Sequence, residues 1–358
     1  MTNCFTTSGL FGELFGDAEI RTEFGVDAFV SRMTAFETAW TTALRQCGLV
    51  GEADAEMALA AIDTFTRMDF SSGSDRDGLP VPELVAALRE GLPDGAARAI
   101  HTGSTSQDVL DTAMVLTCLR VLDISTGRLA RILAGLERLG DRFGDEPLMA
   151  RTRMQAALPA TVGLRVGAWR RPLAQHLARA ETLKATLGVV QIGGPIGTRE
   201  VPADHAEACV ESVADALGLG TGPVWHSDRS RMVEFGHWLT LVTGSLGKIG
   251  QDLALMAQQG VDEIALSGGG GSSAMAHKQN PIAAEAMVTL SRFVAGQQGV
   301  LAQALVHEQE RSGTAWALEW LTLPAMAEAT GASLRHAGAL LASVERMGTP
   351  VSVPPGNG

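Results

Sequence analysis

Cysteine is sparse: the 358 residues hold four (Cys4, Cys47, Cys118 and Cys209), none in C-x-x-C spacing. That pattern gives neither a zinc site nor a disulfide framework, and the four read as free, mostly buried thiols. The N-terminus lacks a basic segment followed by an apolar stretch, so a secretory leader is not expected. No run reaches the ~18 apolar residues of a membrane helix. The expectation is a soluble, cytoplasmic protein with no membrane partner. Nothing alternates apolar with polar as a half-buried strand does, and no segment repeats. Charged residues are only 19%, and Lys plus Arg fall short of Asp plus Glu by 28 to 40, a formal charge of −12. A field of that sign repels phosphate backbones, so a nucleic-acid partner is not expected. An anionic substrate would need its own local cluster of cations.

What the chain does have is apolar material, 46% of its residues, enough for a large core. From Thr105 to about Phe143, apolar residues fall at Val109, Ala113, Leu116, Leu119, Leu122, Leu129, Leu133, Leu136 and Leu139. Steps of mostly three and four predict one helix of roughly ten turns, on the order of 55 Å long. Further long helices are predicted over about 161–187, with Pro172 as a kink, over about 228–259, and after Asn280-Pro281 and Leu323-Pro324. Five long helices with short connections make an extended bundle. The first hundred residues carry shorter helical pieces (about 26–47 and 52–67), a loop at 71–78 and a Pro-flanked segment. The fold class is therefore all-α: a small N-terminal helical domain at 1–100, a five-helix bundle at 101–347, and a frayed Pro/Gly-rich tail at 348–358. Gly-rich breaks fall at 101–106, 191–198 and 267–273.

Chemistry concentrates in the third break, Ser267-Gly-Gly-Gly-Gly-Ser-Ser-Ala-Met-Ala-His-Lys-Gln-Asn-Pro281. Four glycines suit a linker, but a linker has no need of an imidazole, a cation and a carboxamide beside an apolar helix start. Such a loop suits closure over an anion, with Lys278 and Asn280 on a carboxylate and a serine near carbon. In His101-Thr-Gly-Ser-Thr-Ser-Gln-Asp108, Thr105 or Ser106 caps the long helix that follows. The free N–H groups and positive dipole end of that helix form an anion site.

These stretches resemble the signature regions of the fumarase/aspartase superfamily. Residues 271–281 are similar to its loop G-S-S-x-M-P-x-K-x-N-P, with Ala276 in place of the proline. The resemblance implies Ser273 as catalytic base, with His277, Lys278 and Asn280 binding substrate. Residues 101–113 resemble H-x-G-x-T-S-x-D…D-T-A, which implies a catalytic His101 and substrate contacts from Thr105 and Ser106. Met149–Pro159 resembles R-T-H-x-Q-x-A-x-P, which adds Thr152 and Gln155, but Arg153 stands where the pattern has histidine. An arginine does not exchange protons near neutrality, and it holds a carboxylate through two parallel N–H bonds. That suits a reacting group that attacks or leaves as a carboxylate and needs no proton.

This condition, together with Ala-Leu-Glu-Trp-Leu-Thr-Leu-Pro at 317–324 and Met-Ala-His-Lys at 275–278, resembles the 3-carboxy-cis,cis-muconate cycloisomerase branch. It implies lactone closure on a small tricarboxylate substrate, with no metal and no organic cofactor. It also implies a homotetramer whose active sites are shared between subunits. Superfamily members commonly carry a third helical domain after the bundle, which this sequence does not show. A fumarate-releasing lyase of the same superfamily is the alternative, and a non-catalytic relic of the fold is a third reading.

Overall fold

A computed structural model of the chain describes residues 9–66, 69–199, 201, 203–267 and 280–349. Seven short to medium helices open it: α1 (Gly12–Phe15), α2 (Ala18–Glu23), α3 (Val26–Gln46), α4 (Glu52–Asp63), α5 (Ser71–Asp77), α6 (Val81–Arg89) and α7 (Asp94–Ala99). Residues 71–77 are thus helical where the composition predicts a loop. The turn ends at Gly78, whose φ of 76° is a left-handed conformation that glycine adopts without strain.

Then come α8 (Ser106–Phe143), strands β1 (Pro147–Thr152) and β2 (Gln155–Thr161), α9 (Val162–Leu187), α10 (Ala203–Leu217) and α11 (Ser230–Met256). Strand β3 (Ile264–Leu266), α12 (Ile282–Leu301), the 3-10 turn η1 (Ala302–Leu305), α13 (Thr314–Ala342) and β4 (Val344–Met347) follow. The five long helices expected from periodicity are α8, α9, α11, α12 and α13.

Two differ in their limits or their caps. Thr161 caps α9, its hydroxyl accepting from Leu164 N at 3.4 Å. Helix α13 begins ten residues before Pro324 rather than after it. A proline inside a helix forfeits one backbone bond. Here that loss is outweighed because α13 is buried on nearly every side, against α8, α11 and α12. Helices α11 and α12 lie especially close: a Cβ on Gly250 would meet Ala284 O at 2.6 Å.

The chain runs up and down the bundle. The N-termini of α8, α11 and α13 meet at one end. The C-terminus of α8, the N-terminus of α9 and the C-terminus of α13 meet at the other. There β1 and β2 form an antiparallel hairpin, and β3 pairs with β4. The hairpin does not show in the sequence pattern, since nearly all of β2 is exposed and so has no apolar alternation.

Candidate active site

The α8 N-terminus is built from residues that an apolar helix would not choose. Gln107, Asp108, Asp111 and Thr112 are all fully or almost fully buried on one side of its first two turns. Asp108 accepts from Thr105 N at 3.1 Å, fixing the start of the helix. The same carboxylate accepts from Gly193 N at 2.8 Å and Gly194 N at 2.9 Å, and lies 2.9 Å from His226 Nε2. One side chain thereby clamps the helix start, the 191–198 break and the segment leading into α11. Gly193 is required there, because a Cβ would meet the His226 ring at 2.5 Å.

Asp111, one turn on, accepts both guanidinium nitrogens of Arg229, at 2.7 and 2.8 Å, and Trp316 Nε1 at 2.9 Å. Arg229 also donates to Glu319 of α13 at 2.7 and 2.6 Å. Burial opposes the Arg229 charge, but the Asp111 and Glu319 carboxylates outweigh it and push its pKa up. A buried charge held by two carboxylates fastens α8, α11 and α13 together beneath the helix start. Breaking one partner of such a cluster costs roughly 3–5 kcal/mol.

Above this base sit the residues expected in the site. Thr105 and Ser104 are buried, and Ser106 is half-buried at the first position of α8. His101 adopts φ 62° and sets its Nδ1 2.6 Å from Glu37 of α3, a fully buried carboxylate. That contact orients the imidazole ring against α3. Trp40 of α3 donates to Thr102 O at 2.9 Å and holds the same loop. His101, Thr105 and Ser106 are therefore brought together, beside the dipole end of a 38-residue helix. Arg311 reaches the same region and donates to Pro195 O at 2.6 Å.

Thr152, Arg153 and Gln155 lie elsewhere. They surround the tip of the β1–β2 hairpin, past the far end of α8 and exposed to solvent. Arg153 and Met154 are its two turn residues, with φ 48° and 67°. Two positive φ values mark the mirror-image turn that two-residue hairpins favour, normally supplied by Asn-Gly. Arg151 beside the tip pairs with buried Glu263, which Arg165 also contacts at 3.2 Å. Glu263 leads into β3 and Ser267, whose backbone N–H donates to Ser343 O at 2.7 Å. Ser267 and Asn280, the residues on either side of the 268–279 segment, thus both lie at the hairpin end. Ser273, His277 and Lys278 lie outside the described residues. One chain separates the described parts of its motifs: the first region sits at one end of α8, the second region and the flanks of the third at the other, roughly 57 Å away at 1.5 Å per residue.

A family model described as "Lyase" matches residues 78–296. The chain is 32% identical over 349 residues to the 3-carboxy-cis,cis-muconate cycloisomerase of Acinetobacter baylyi, covering 94% of this chain and 77% of that one. It belongs to the fumarase/aspartase superfamily of lyases, and it is an enzyme. Among solved structures, the 3-carboxy-cis,cis-muconate lactonizing enzyme from Pseudomonas putida superposes with a TM-score of 0.86 at 31% identity, over 94% of this chain and 77% of that one. The fumarate lyase from Mesorhizobium sp. BNC1 does so with 0.86 at 28%, over 93% and 76%. The all-α superfamily fold expected from the motifs is the fold observed.

Sequence reasoning missed the supporting residues of this superfamily site. Glu37, Asp111, the His226/Arg229 pair and Glu319 lie in four different segments, and no local spacing links those segments. The available signal was the pair Asp108 and Asp111 within an apolar helical stripe, where two buried carboxylates require partners. His307, on the loop after η1, also went unnoticed. Both its ring nitrogens are buried without a hydrogen-bond partner in the described structure. Burial and then the Arg229 charge push its pKa down, so the ring is neutral near pH 7. Among the described residues, no three His, Cys, Asp or Glu side chains gather as a metal cage.

Proposed function

We propose that the protein catalyses the cycloisomerisation of 3-carboxy-cis,cis-muconate to a carboxymuconolactone, in the cytoplasm and within the catabolism of aromatic acids. The observation that carries this reading is Arg153 at the hairpin tip, where the superfamily pattern has histidine. A fixed cation serves a reaction whose attacking oxygen is already a carboxylate, and it serves poorly where a leaving nitrogen or hydroxide needs a proton. Similarity to proteins named for that lactonisation supports the same reading.

In this reading the α8 N-terminus, through Thr105 and Ser106, and Lys278, Asn280 and Arg153 hold the substrate carboxylates. Thr152, Gln155 and His277 complete the binding set. One carboxylate adds across the double bond, and negative charge builds on the neighbouring carbon and its carboxyl group. Preorganised donors and cations stabilise that charge. Ser273 delivers the proton, and His101, oriented by Glu37, serves proton movement nearby. No cofactor takes part.

Because one chain holds its motifs at opposite ends, we further propose a homotetramer in which each site draws regions from different subunits. Exposed apolar side chains on the hairpin (Leu158), on α12 (Phe293, Val300) and on α13 (Leu321) supply surface for those contacts. The alternative, elimination of fumarate from a substituted succinate, is favoured by the similarity to a fumarate lyase. An ultraviolet assay separates the two. Carboxymuconate should lose its conjugated-diene band on lactonisation, whereas fumarate release from adenylosuccinate or argininosuccinate should raise absorbance. Turnover of a succinate adduct with none of carboxymuconate would reverse the assignment.

A further inference from the structure

Two thiols outside the site lie in direct contact. Cys47 caps the C-terminus of α3, and Cys209 sits within α10, 162 residues later in the chain. Their Sγ atoms are 2.9 Å apart. A disulfide needs about 2.05 Å, so closure asks for a movement of about 0.9 Å. The helices are already packed against each other, and Ser212 Oγ donates to Gln46 Oε1 at 2.7 Å across the same contact. The two sulfurs differ in access: Cys47 is half-buried and Cys209 fully buried. Burial, with the Cys47 thiol alongside, pushes Cys209 up to about 12. Cys118, by contrast, is buried within α8.

We propose that Cys47 and Cys209 form a reversible oxidation site, a dithiol that closes to an intramolecular disulfide when it meets a low-molecular-weight disulfide. Cys47, the accessible thiol, attacks the small disulfide. A bond forms from its Sγ to one sulfur of the reagent, the reagent's S–S bond breaks, and one small thiol departs with the Cys47 proton. Cys209 Sγ then attacks Cys47 Sγ. The Cys47–Cys209 bond forms, the mixed disulfide breaks, and the second small thiol leaves with the Cys209 proton. Two cysteines lose two electrons, and one small disulfide becomes two thiols. The raised pKa of Cys209 does not block the second step, because the neighbouring sulfur is already in place.

The position gives the bond a consequence. Helix α3 orients His101 through Glu37, and α10 follows the 191–198 break that Asp108 clamps. Closure ties α10 to the helix that orients His101.

The test uses the full chain, reduced and then freed of reductant, incubated with excess oxidised glutathione, quenched with acid and alkylated. Cys47 and Cys209 should disappear together from the alkylated pool. A single Cys47–Cys209 linked peptide should appear in a non-reducing digest, and dithiothreitol should restore both thiols. Cys209→Ser removes the resolving sulfur, so its Cys47 should accumulate glutathione at least tenfold above wild type. A wild-type protein that keeps glutathione on Cys47 while Cys209 stays a thiol would overturn the proposal. So would retention of both thiols under conditions that oxidise dithiothreitol.

Discussion

Arg153 occupies a left-handed turn position on an exposed hairpin tip, a place where an arginine gains no packing to offset its backbone strain. If the side chain supplies fixed charge to a carboxylate, Arg153→His weakens a charge-assisted contact of about 1.5–3 kcal/mol. KM should rise by about tenfold or more, with kcat changed less and no new titrating limb in the pH profile. Steady-state kinetics against pH checks this, and a faster variant with a limb near the histidine range would contradict it. His176 makes a prediction of another kind. It is buried between α9 and α11, its Nε2 2.8 Å from Ser245 Oγ and its Nδ1 3.3 Å from Arg179. Burial, and then the Arg179 charge, push its pKa down to about 4 from 6.5. Between pH 6.5 and 4 the unfolded chain takes up a proton that the folded chain refuses. Stability from this residue is therefore full above pH 6.5 and falls with pH across that window, by about 3 kcal/mol at most. Denaturant melts at pH 7 and 4.5 should show the loss, and His176→Gln should remove about one proton's worth of the slope.

At the scale of elements, the β1–β2 hairpin shows how function and local conformation pull apart. Met154 holds φ 67°, which glycine adopts freely. Met154→Gly should therefore raise stability by about 1 kcal/mol in chemical denaturation while leaving KM within twofold, because the arginine beside it stays. A loss of activity on that change would assign the tip's apolar side chain a contact of its own. The long helices were legible because each buries a stripe of apolar residues at steps of three and four. The hairpin was not, since its second strand buries almost nothing and leaves no pattern in the sequence. The start of α13 was misplaced for a different reason. Proline reads as a boundary, but the helix is anchored ahead of it by Ser312, whose hydroxyl accepts from Ala315 N at 3.0 Å, and by Trp316 and Glu319 reaching the Asp111–Arg229 pair. The motifs pointed to candidate site residues but not to what supports them, because Glu37 meets His101, and Arg229 meets Asp111 and Glu319, only through tertiary packing.

The whole molecule poses a problem of distance. His101, Thr105 and Ser106 stand at one end of α8, and Arg153 with the flanks of the 268–279 segment at the other, about the length of that helix apart. No side chain bridges such a gap, so a site using both groups requires a second copy of the chain. Closed symmetric assemblies satisfy this without leaving open ends. In the proposed assembly each subunit would lend an α8 N-terminus to one site and a hairpin to another. The exposed Phe293 and Val300 of α12 and Leu321 of α13 lie on the helices that flank such a contact. The consequence is measurable by complementation. Ser273→Ala and Thr105→Val should each be close to inactive as homo-oligomers. Mixed, dissociated and reassembled, they should recover activity, because some sites then receive an intact serine loop and an intact helix start from different chains. Random assembly of equal parts leaves about a quarter of sites with both groups intact if the two regions come from independent subunits. Activity near that fraction of wild type is the expected outcome, with subunit exchange verified by mass. Full inactivity after verified exchange, or an active monomer by light scattering, would place the site within one chain and return the distance problem to the fold itself.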